Sequence, residues 1–256
     1  VNTSEVRPVT VGWFEITTTD PARSKEFYQG LFDWKLTAFA DDDAYSTITA
    51  PGAAAAMGAL RRGDHDAVCI SVVCDDVAAV ISELRALGAT LVEPPARTMA
   101  GDVHAVVTDV RGNRLGLFEP GERRDPEPTR PVPNATAWFE IGTTDLAATR
   151  TFYEKAFGWT QVRDEAAEGA EYYSIMPPSS QQAIGGVLDL SATPGAADYA
   201  VPGLLVTDVP DLLERCEAAG GRRVAGPFSD ADGLVIGQFT DPFGNKWSAF
   251  AQPAGE

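Results

Sequence analysis

The chain opens with a short stretch of strand character, a helix and three further strands. Residues 11–18 are rich in aromatic and β-branched side chains, which predicts a strand. On a strand of period 2, Trp13, Glu15 and Thr17 share one face, and Phe14 and Ile16 share the other. Asp20-Pro21 predicts a helix start, since the Asp side chain accepts orphan amides and a proline at the first helical position gives up an amide that had no partner. That helix is expected to end at Leu31 or Phe32, with Phe27 and Leu31 in its buried stripe. Short strands follow at 35–39, 45–49 and 55–60, separated by an acidic turn and a Pro-Gly turn. The order then recurs: a strand at 67–74, a helix at 77–87 whose Val77, Val80, Ile81, Leu84 and Leu87 keep helical spacing, and strands at 90–93, 104–108 and 114–118. Each segment is a β-α-β-β-β module.

The pattern returns in the second half. Trp13-Phe14-Glu15-Ile16, Asp20 and the run from Phe27-Tyr28 to Trp34 reappear as Trp138-Phe139-Glu140-Ile141, Asp145 and Phe152-Tyr153 to Trp159, at a constant offset of 125 residues. An ungapped match of this length means two copies of one unit. Asp76-Val77 is answered by Asp208-Val209, and Thr108-Asp109 to Gly112-Asn113 by Thr240-Asp241 to Gly244-Asn245, at an offset of 132 that places seven extra residues in a loop of the second copy. Its predicted elements are strands at 137–143, near 160, at 171–176, 183–189, 199–206, 234–240 and 246–250, with helices at 146–157 and 212–219. Residues 121–133, charged and proline-rich, read as a semi-rigid linker between domains at 1–120 and 134–256, with Arg123, Arg124 and Arg130 as expected first sites of proteolysis. Each copy is long enough to bury a core of its own.

A formal charge of −17 argues against sequence-independent binding to nucleic acid or to an anionic membrane, because both reward Lys and Arg. No secretory signal is expected, nor any apolar run of about 18 residues able to cross a bilayer. Three cysteines, Cys69, Cys74 and Cys216, without close C-x-x-C spacing offer neither a disulfide framework nor a zinc clip, which fits a reducing cytoplasm. The expected partner is a small molecule and the expected state a monomer or homodimer.

Paired modules with a strand, an Asp, Phe-Tyr and a closing Trp, followed by Asp-x-x-Gly-Asn, resemble the vicinal oxygen chelate superfamily of glyoxalases, bleomycin-resistance proteins and extradiol dioxygenases. Within that superfamily the chain resembles the two-domain actinobacterial glyoxalase-like group. The resemblance implies an α+β fold in which four modules pair into two tandem domains, each a half-open eight-stranded cup with helices outside. In metal-dependent members a divalent ion is held at the cup base by His or Glu of the first strand of each module and by Glu of the last strand. The matching positions here are Trp13, Cys69 and Gly116 in one copy and Trp138, Val201 and Ser248 in the other. Only Cys69 has a donor suited to a metal, and that a soft one; Ser is a poor ligand. No metal and no other cofactor is therefore expected.

On the cup-facing side, Trp13 and Trp138 offer flat apolar surfaces with Glu15 and Glu140 two residues on, a combination that holds a planar or cationic organic ligand by stacking. Thr17, Cys69 and Ser248 join them as candidate binding residues. The alternative is that each Trp fills its cup and each Glu pairs with a cation such as Arg114 or Lys246. The chain is thus expected to bind or sequester a small aromatic or cationic molecule without metal, as resistance-type members of the superfamily do. A second possibility is a metal-independent acid-base enzyme of secondary metabolism with Glu15 or Glu140 as base and His104 as acid, suited by the raised pKa of a buried carboxylate. A metal-dependent lyase or dioxygenase is the third.

Overall fold

The protein is seen in a computed structural model that describes residues 10–39, 44–97, 101–121, 131–167, 169–178 and 180–253. The first copy runs β1 Thr10–Thr18, α1 Pro21–Phe32, β2 Lys35–Ala38, β3 Tyr45–Thr49, β4 Gly58–Arg62, β5 Ala67–Val73, α2 Val77–Ala86, β6 Thr90–Arg97, β7 Val103–Thr108 and β8 Arg114–Glu119. The second runs β9 Ala135–Thr143, α3 Leu146–Phe157, β10 Thr160–Arg163, β11 Tyr172–Met176, β12 Gly185–Asp189, β13 Tyr199–Leu205, α4 Val209–Ala218, β14 Arg222–Ser229, β15 Val235–Thr240 and β16 Lys246–Ala251. All four helices start on an aspartate whose carboxylate accepts an amide of the first turn, as expected for Asp20: Asp20 from Arg23 N, Asp76 from Ala79 N, Asp145 from Ala148 N and Asp208 from Asp211 N. Because Asp208 is that cap, α4 begins at Val209, ahead of the expected residue 212.

β4 is shifted to Gly58–Arg62 from the expected 55–60, and two strands depart further from expectation. β6 continues through Pro94-Pro95 to Arg97, and β14, which the sequence does not announce, crosses Gly226-Pro227. Both are edge strands, where a missing amide can face solvent. Their pairings with β7 and β15 carry register shifts that absorb the prolines.

Each copy forms one eight-stranded mixed sheet, in the order β2-β3-β4-β1-β5-β8-β7-β6 and β10-β11-β12-β9-β13-β16-β15-β14. The sheets curl. Arg61 on β4 and Glu93 on β6 are five strand steps apart, about 24 Å in a flat sheet, yet Arg61 Nη2 lies 2.8 Å from Glu93 Oε2. The sheet is therefore a cup, with that ion pair drawn across its inside.

The convex faces carry the apolar half of each alternation, and the helices cover them only in part. One core joins Phe14, Ile16, Phe27 and Leu31 of the first copy to Leu212, Phe239 and Trp247 of the second; the other joins Ile70, Ile81 and Leu117 to Phe139, Phe152 and Trp159. The first module thus packs on the fourth and the second on the third. The expectation that each copy encloses its own core is corrected here: two apolar convex faces remove more surface from water by meeting each other than each would beneath its own two helices. Residues 122–130, which include the arginines where cleavage is expected, lie outside the described residues.

Candidate ligand-binding cups

Alternation decides which side chains enter the cups. Phe14 and Ile16 are buried in the shared core, so Trp13, Glu15 and Thr17 lie on the opposite, concave face. There Glu15 is 5% exposed and stands in cross-strand register with Cys69 on one side and Ala59 on the other. Arg61 Nε donates to Glu15 Oε1 at 2.5 Å, and its Nη2 donates to both carboxylate oxygens of Glu93 at 2.9 and 2.8 Å. Arg114 Nη2 reaches the same Glu93 at 2.7 Å. His104 Nε2 stands 3.5 Å from Glu15 Oε1, an ion-pair separation without hydrogen-bond geometry, and this nitrogen has no hydrogen-bond partner. Trp13 lies over Phe118 of β8, with ring centroids 5.9 Å apart and planes 9° from parallel.

The electrostatics follow from these contacts. Burial pushes the Glu15 carboxyl up, but His104 and Arg61 together outweigh it and hold the pKa below its ordinary value. Its carboxylate in turn raises the His104 imidazole, against the opposing effect of burial. Burial, with Glu15 nearby, pushes the Cys69 thiol to about 12, so the thiolate is suppressed.

The second cup is built differently on the same frame. Glu140, 4% exposed, accepts from Tyr199 Oη at 2.6 Å and from Gln238 Nε2 at 2.5 Å, and Gln238 also donates to Tyr199 Oη at 2.8 Å. Trp138 Nε1 donates to Tyr172 Oη at 2.9 Å. Two glycines make room for the tyrosines: a Cβ at Gly142 would enter the Tyr199 ring, and one at Gly186 would enter Tyr172. Lys246 Nζ sits 3.3 Å from the Tyr199 ring centroid. Burial drops its pKa to about 8, with Glu140 working the other way, and burial raises that of Glu140, against the bonds from Tyr199 and Gln238 and the charge of Lys246.

The residues expected in the first cup converge there, with Glu15, Cys69 and His104 adjacent and Trp13 paired to an aromatic partner. Trp138 and Glu140 converge in the second, and Ser248 pairs in register with Gly203 and Gln238. The cations named as partners for the two Glu residues are not the ones found: Glu15 binds Arg61, and Glu140 binds a phenol and an amide. Arg61, Glu93, Phe118, Tyr172, Tyr199 and Gln238 were not singled out in the sequence. Their one signal there is a large or polar residue at the concave position of a strand.

A divalent ion does not fit these donors. At the family's ligand positions the first cup has an indole, a suppressed thiol and Gly116, and its two carboxylates are already joined to guanidinium groups. In the second cup those positions hold Trp138, Val201 and Ser248. Among the described residues no group of three or more His, Cys, Asp and Glu is placed to hold a metal.

A model of the Glyoxalase/Bleomycin resistance protein/Dioxygenase superfamily matches residues 10–117 and 135–249. Anthracycline biosynthesis protein DnrV of Streptomyces peucetius is 27% identical over 169 residues, covering 59% of this chain and 61% of that protein, so the match spans less than two thirds of the relative's length. The Mn(II)-bound glyoxalase from Novosphingobium aromaticivorans superposes with a TM-score of 0.62 at 16% identity, covering 96% of this chain and 82% of that one. A variant of homoprotocatechuate 2,3-dioxygenase from B. fuscum gives 0.66 at 13% identity, covering 98% and 73%. At such identities the likeness to both structures is one of fold.

Proposed function

The chain belongs to the glyoxalase/bleomycin resistance protein/dioxygenase superfamily, and from that premise we propose that it binds, without metal, a planar aromatic molecule bearing oxygen substituents, in the cup of the first sheet. The observation that carries this reading is the Trp13–Phe118 pair standing in the same cup as the Arg61, Arg114 and His104 donors. Aromatic faces supply stacking area, and donors anchored by Glu15 and Glu93 fix the orientation of quinone, phenol or carboxylate oxygens. With two guanidinium groups and an imidazole facing two carboxylates, this lining favours an acceptor-bearing ring over a cationic one. The side chains of Arg61, Glu93, His104 and Arg114 are 22–26% exposed, which leaves them within reach of a solute. The relative named for anthracycline biosynthesis supports a fused-ring aromatic ligand and a setting in secondary metabolism. The free thiols of Cys69, Cys74 and Cys216 support a cytoplasmic one.

Titration with anthraquinone-2-sulfonate, followed by tryptophan quenching, tests the reading. Binding should weaken about fivefold in Phe118→Ala, the order of 1 kcal/mol that an aromatic pair contributes beyond its buried area. It should also weaken in Arg114→Gln, and should be indifferent to EDTA. Unchanged affinity in both variants with the fold intact would remove the ligand from this cup. The unpartnered Nε2 of His104 beside Glu15 favours one second reading, an acid-base enzyme acting on the same bound ring. Conversion of a bound ring compound to a product of new mass, abolished in His104→Gln, would mark that case.

A further inference from the structure

A cavity of about 610 Å³ lies outside both cups, between the convex sides of the two sheets where β1 and β9 begin. It is bordered by matched positions of the two copies: Gly12 and Ala137, Ala56 and Ala183, Met57 and Ile184. It therefore sits on the pseudo-twofold axis that relates the copies. We propose that this cavity is a second ligand site, taking one neutral, largely apolar organic molecule per chain.

Three observations carry the assignment. The space is built into the strands, because each has a register shift at the same point: Gly12 drops out of the β1–β5 pairing between Val11 and Trp13, and Ala137 drops out of the β9–β13 pairing between Thr136 and Trp138. A bulge bends its strand and takes one residue out of the ladder, so two equivalent bulges spread the starts of β1 and β9 around a common gap. The side chains at the gap are then small. Ala53 to Ala56 form an unbroken alanine run along its wall, leaving a void where larger residues would pack.

The lining also fixes the chemistry. In a chain with 22% charged residues, none of the 21 described residues around the cavity carries a charge, and Thr136 is the single hydroxyl or amide side chain among them. A charged ligand would find no counter-ion here, and burying it unpaired would cost more than its apolar contacts return. A neutral molecule with one or two acceptors meets the hydroxyl of Thr136 at the border, and the volume is that of an ordinary small-molecule site. Met57 adapts the wall to shape, since its thioether is flexible and now serves only as a weak acceptor for Thr136 N at 3.4 Å.

This site is independent of the cup, and the test separates the two. N-phenyl-1-naphthylamine, neutral and bright only in apolar surroundings, should bind the full chain one to one, with energy transfer from tryptophan. Anthraquinone-2-sulfonate should not displace it. Ala56→Phe and Ala183→Phe, which fill the cavity from opposite sides, should each weaken the naphthylamine at least tenfold and leave anthraquinone sulfonate binding as it is. Absence of one-to-one binding, displacement by the sulfonate, or wild-type affinity in either folded filling variant would overturn the proposal. Because the displacement arm uses the unaltered protein, it decides even if a variant fails to fold.

Discussion

Tyr28 of α1 donates its hydroxyl to Asp241 Oδ2 at 2.7 Å across 213 residues of sequence, and Tyr153 of α3 makes the equivalent bond to Asp109 Oδ2 at 2.8 Å across 44. Each aspartate also holds its own turn. Asp241 accepts from Phe243 N and from both Asn245 N and Nδ2, and Asp109 accepts from Arg111 N and from Asn113 N and Nδ2. The Phe-Tyr and Asp-x-x-Gly-Asn motifs are thus two ends of one interaction that locks the copies together. Burial, with the aspartate beside it, raises both phenol pKa values well above the ordinary value, so each tyrosine remains a donor.

Tyr28→Phe and Tyr153→Phe should each destabilise the protein by about 1.5–3 kcal/mol, the range for a lost hydrogen bond to a charged group. The two sites share no partner, so the double variant should show the sum of the single effects. Urea unfolding of the four proteins checks both statements.

The shared cores predict how the halves behave apart. Residues 1–121 alone would expose Phe14, Ile16, Phe27 and Leu31 where Phe239 and Trp247 now cover them. That half should aggregate or self-associate when expressed alone, while co-expression of residues 1–121 with 131–256 should give a soluble one-to-one complex. A monomeric, cooperatively unfolding 1–121 fragment would contradict the shared core.

The repeat made the modules, helix caps and concave positions legible in the sequence, because those features are local: an Asp before a helix, or a Glu two residues after a Trp. Partnership was not legible. The apolar stripe holding Phe27 and Leu31 reads the same whether its cover comes from its own copy or the other. Arg61 and Glu93 meet only because the sheet curls, and no strand-length pattern encodes the degree of curl. β14 stayed hidden because an edge strand with one solvated side tolerates the charges and the proline that normally argue against a strand.

The Glu15–His104 pair predicts a stability optimum on the acid side of neutrality. His104 is raised above its ordinary 6.5, so its contribution is complete below that pH and is lost as pH rises through the higher folded-state value. Glu15 is lowered below its ordinary 4.5, so its contribution is complete above that pH and is lost as pH falls through the lower folded-state value. Arg61, Glu93 and Arg114 face the same pair. The chain has two histidines, so NMR titration of a His65→Gln variant isolates His104, which should titrate above 6.5. In Glu15→Gln its value should fall, and the decline of stability from pH 6.5 to 8 should flatten.

Lys246 gives the sharpest electrostatic contrast between the cups. Arg114, its counterpart in the first cup, is paired to Glu93, whereas Lys246 lies over the Tyr199 ring with its pKa lowered by burial to about 8. Glu140 supplies the opposing effect, because its carboxylate favours the ammonium form. Removing that charge should therefore lower Lys246 further. With four lysines in the chain, reductive methylation with labelled formaldehyde gives a spectrum simple enough to assign, and the resonance lost in a Lys246→Arg variant, which separates it from any α-amine, should titrate near 8. In Glu140→Gln that midpoint should move down, and in Tyr199→Leu, which loses the ring beneath the ammonium, it should move down as well. A Lys246 resonance titrating near the ordinary 10.5 would mean that its ammonium extends to solvent and that the second cup is wetter than its tyrosines imply.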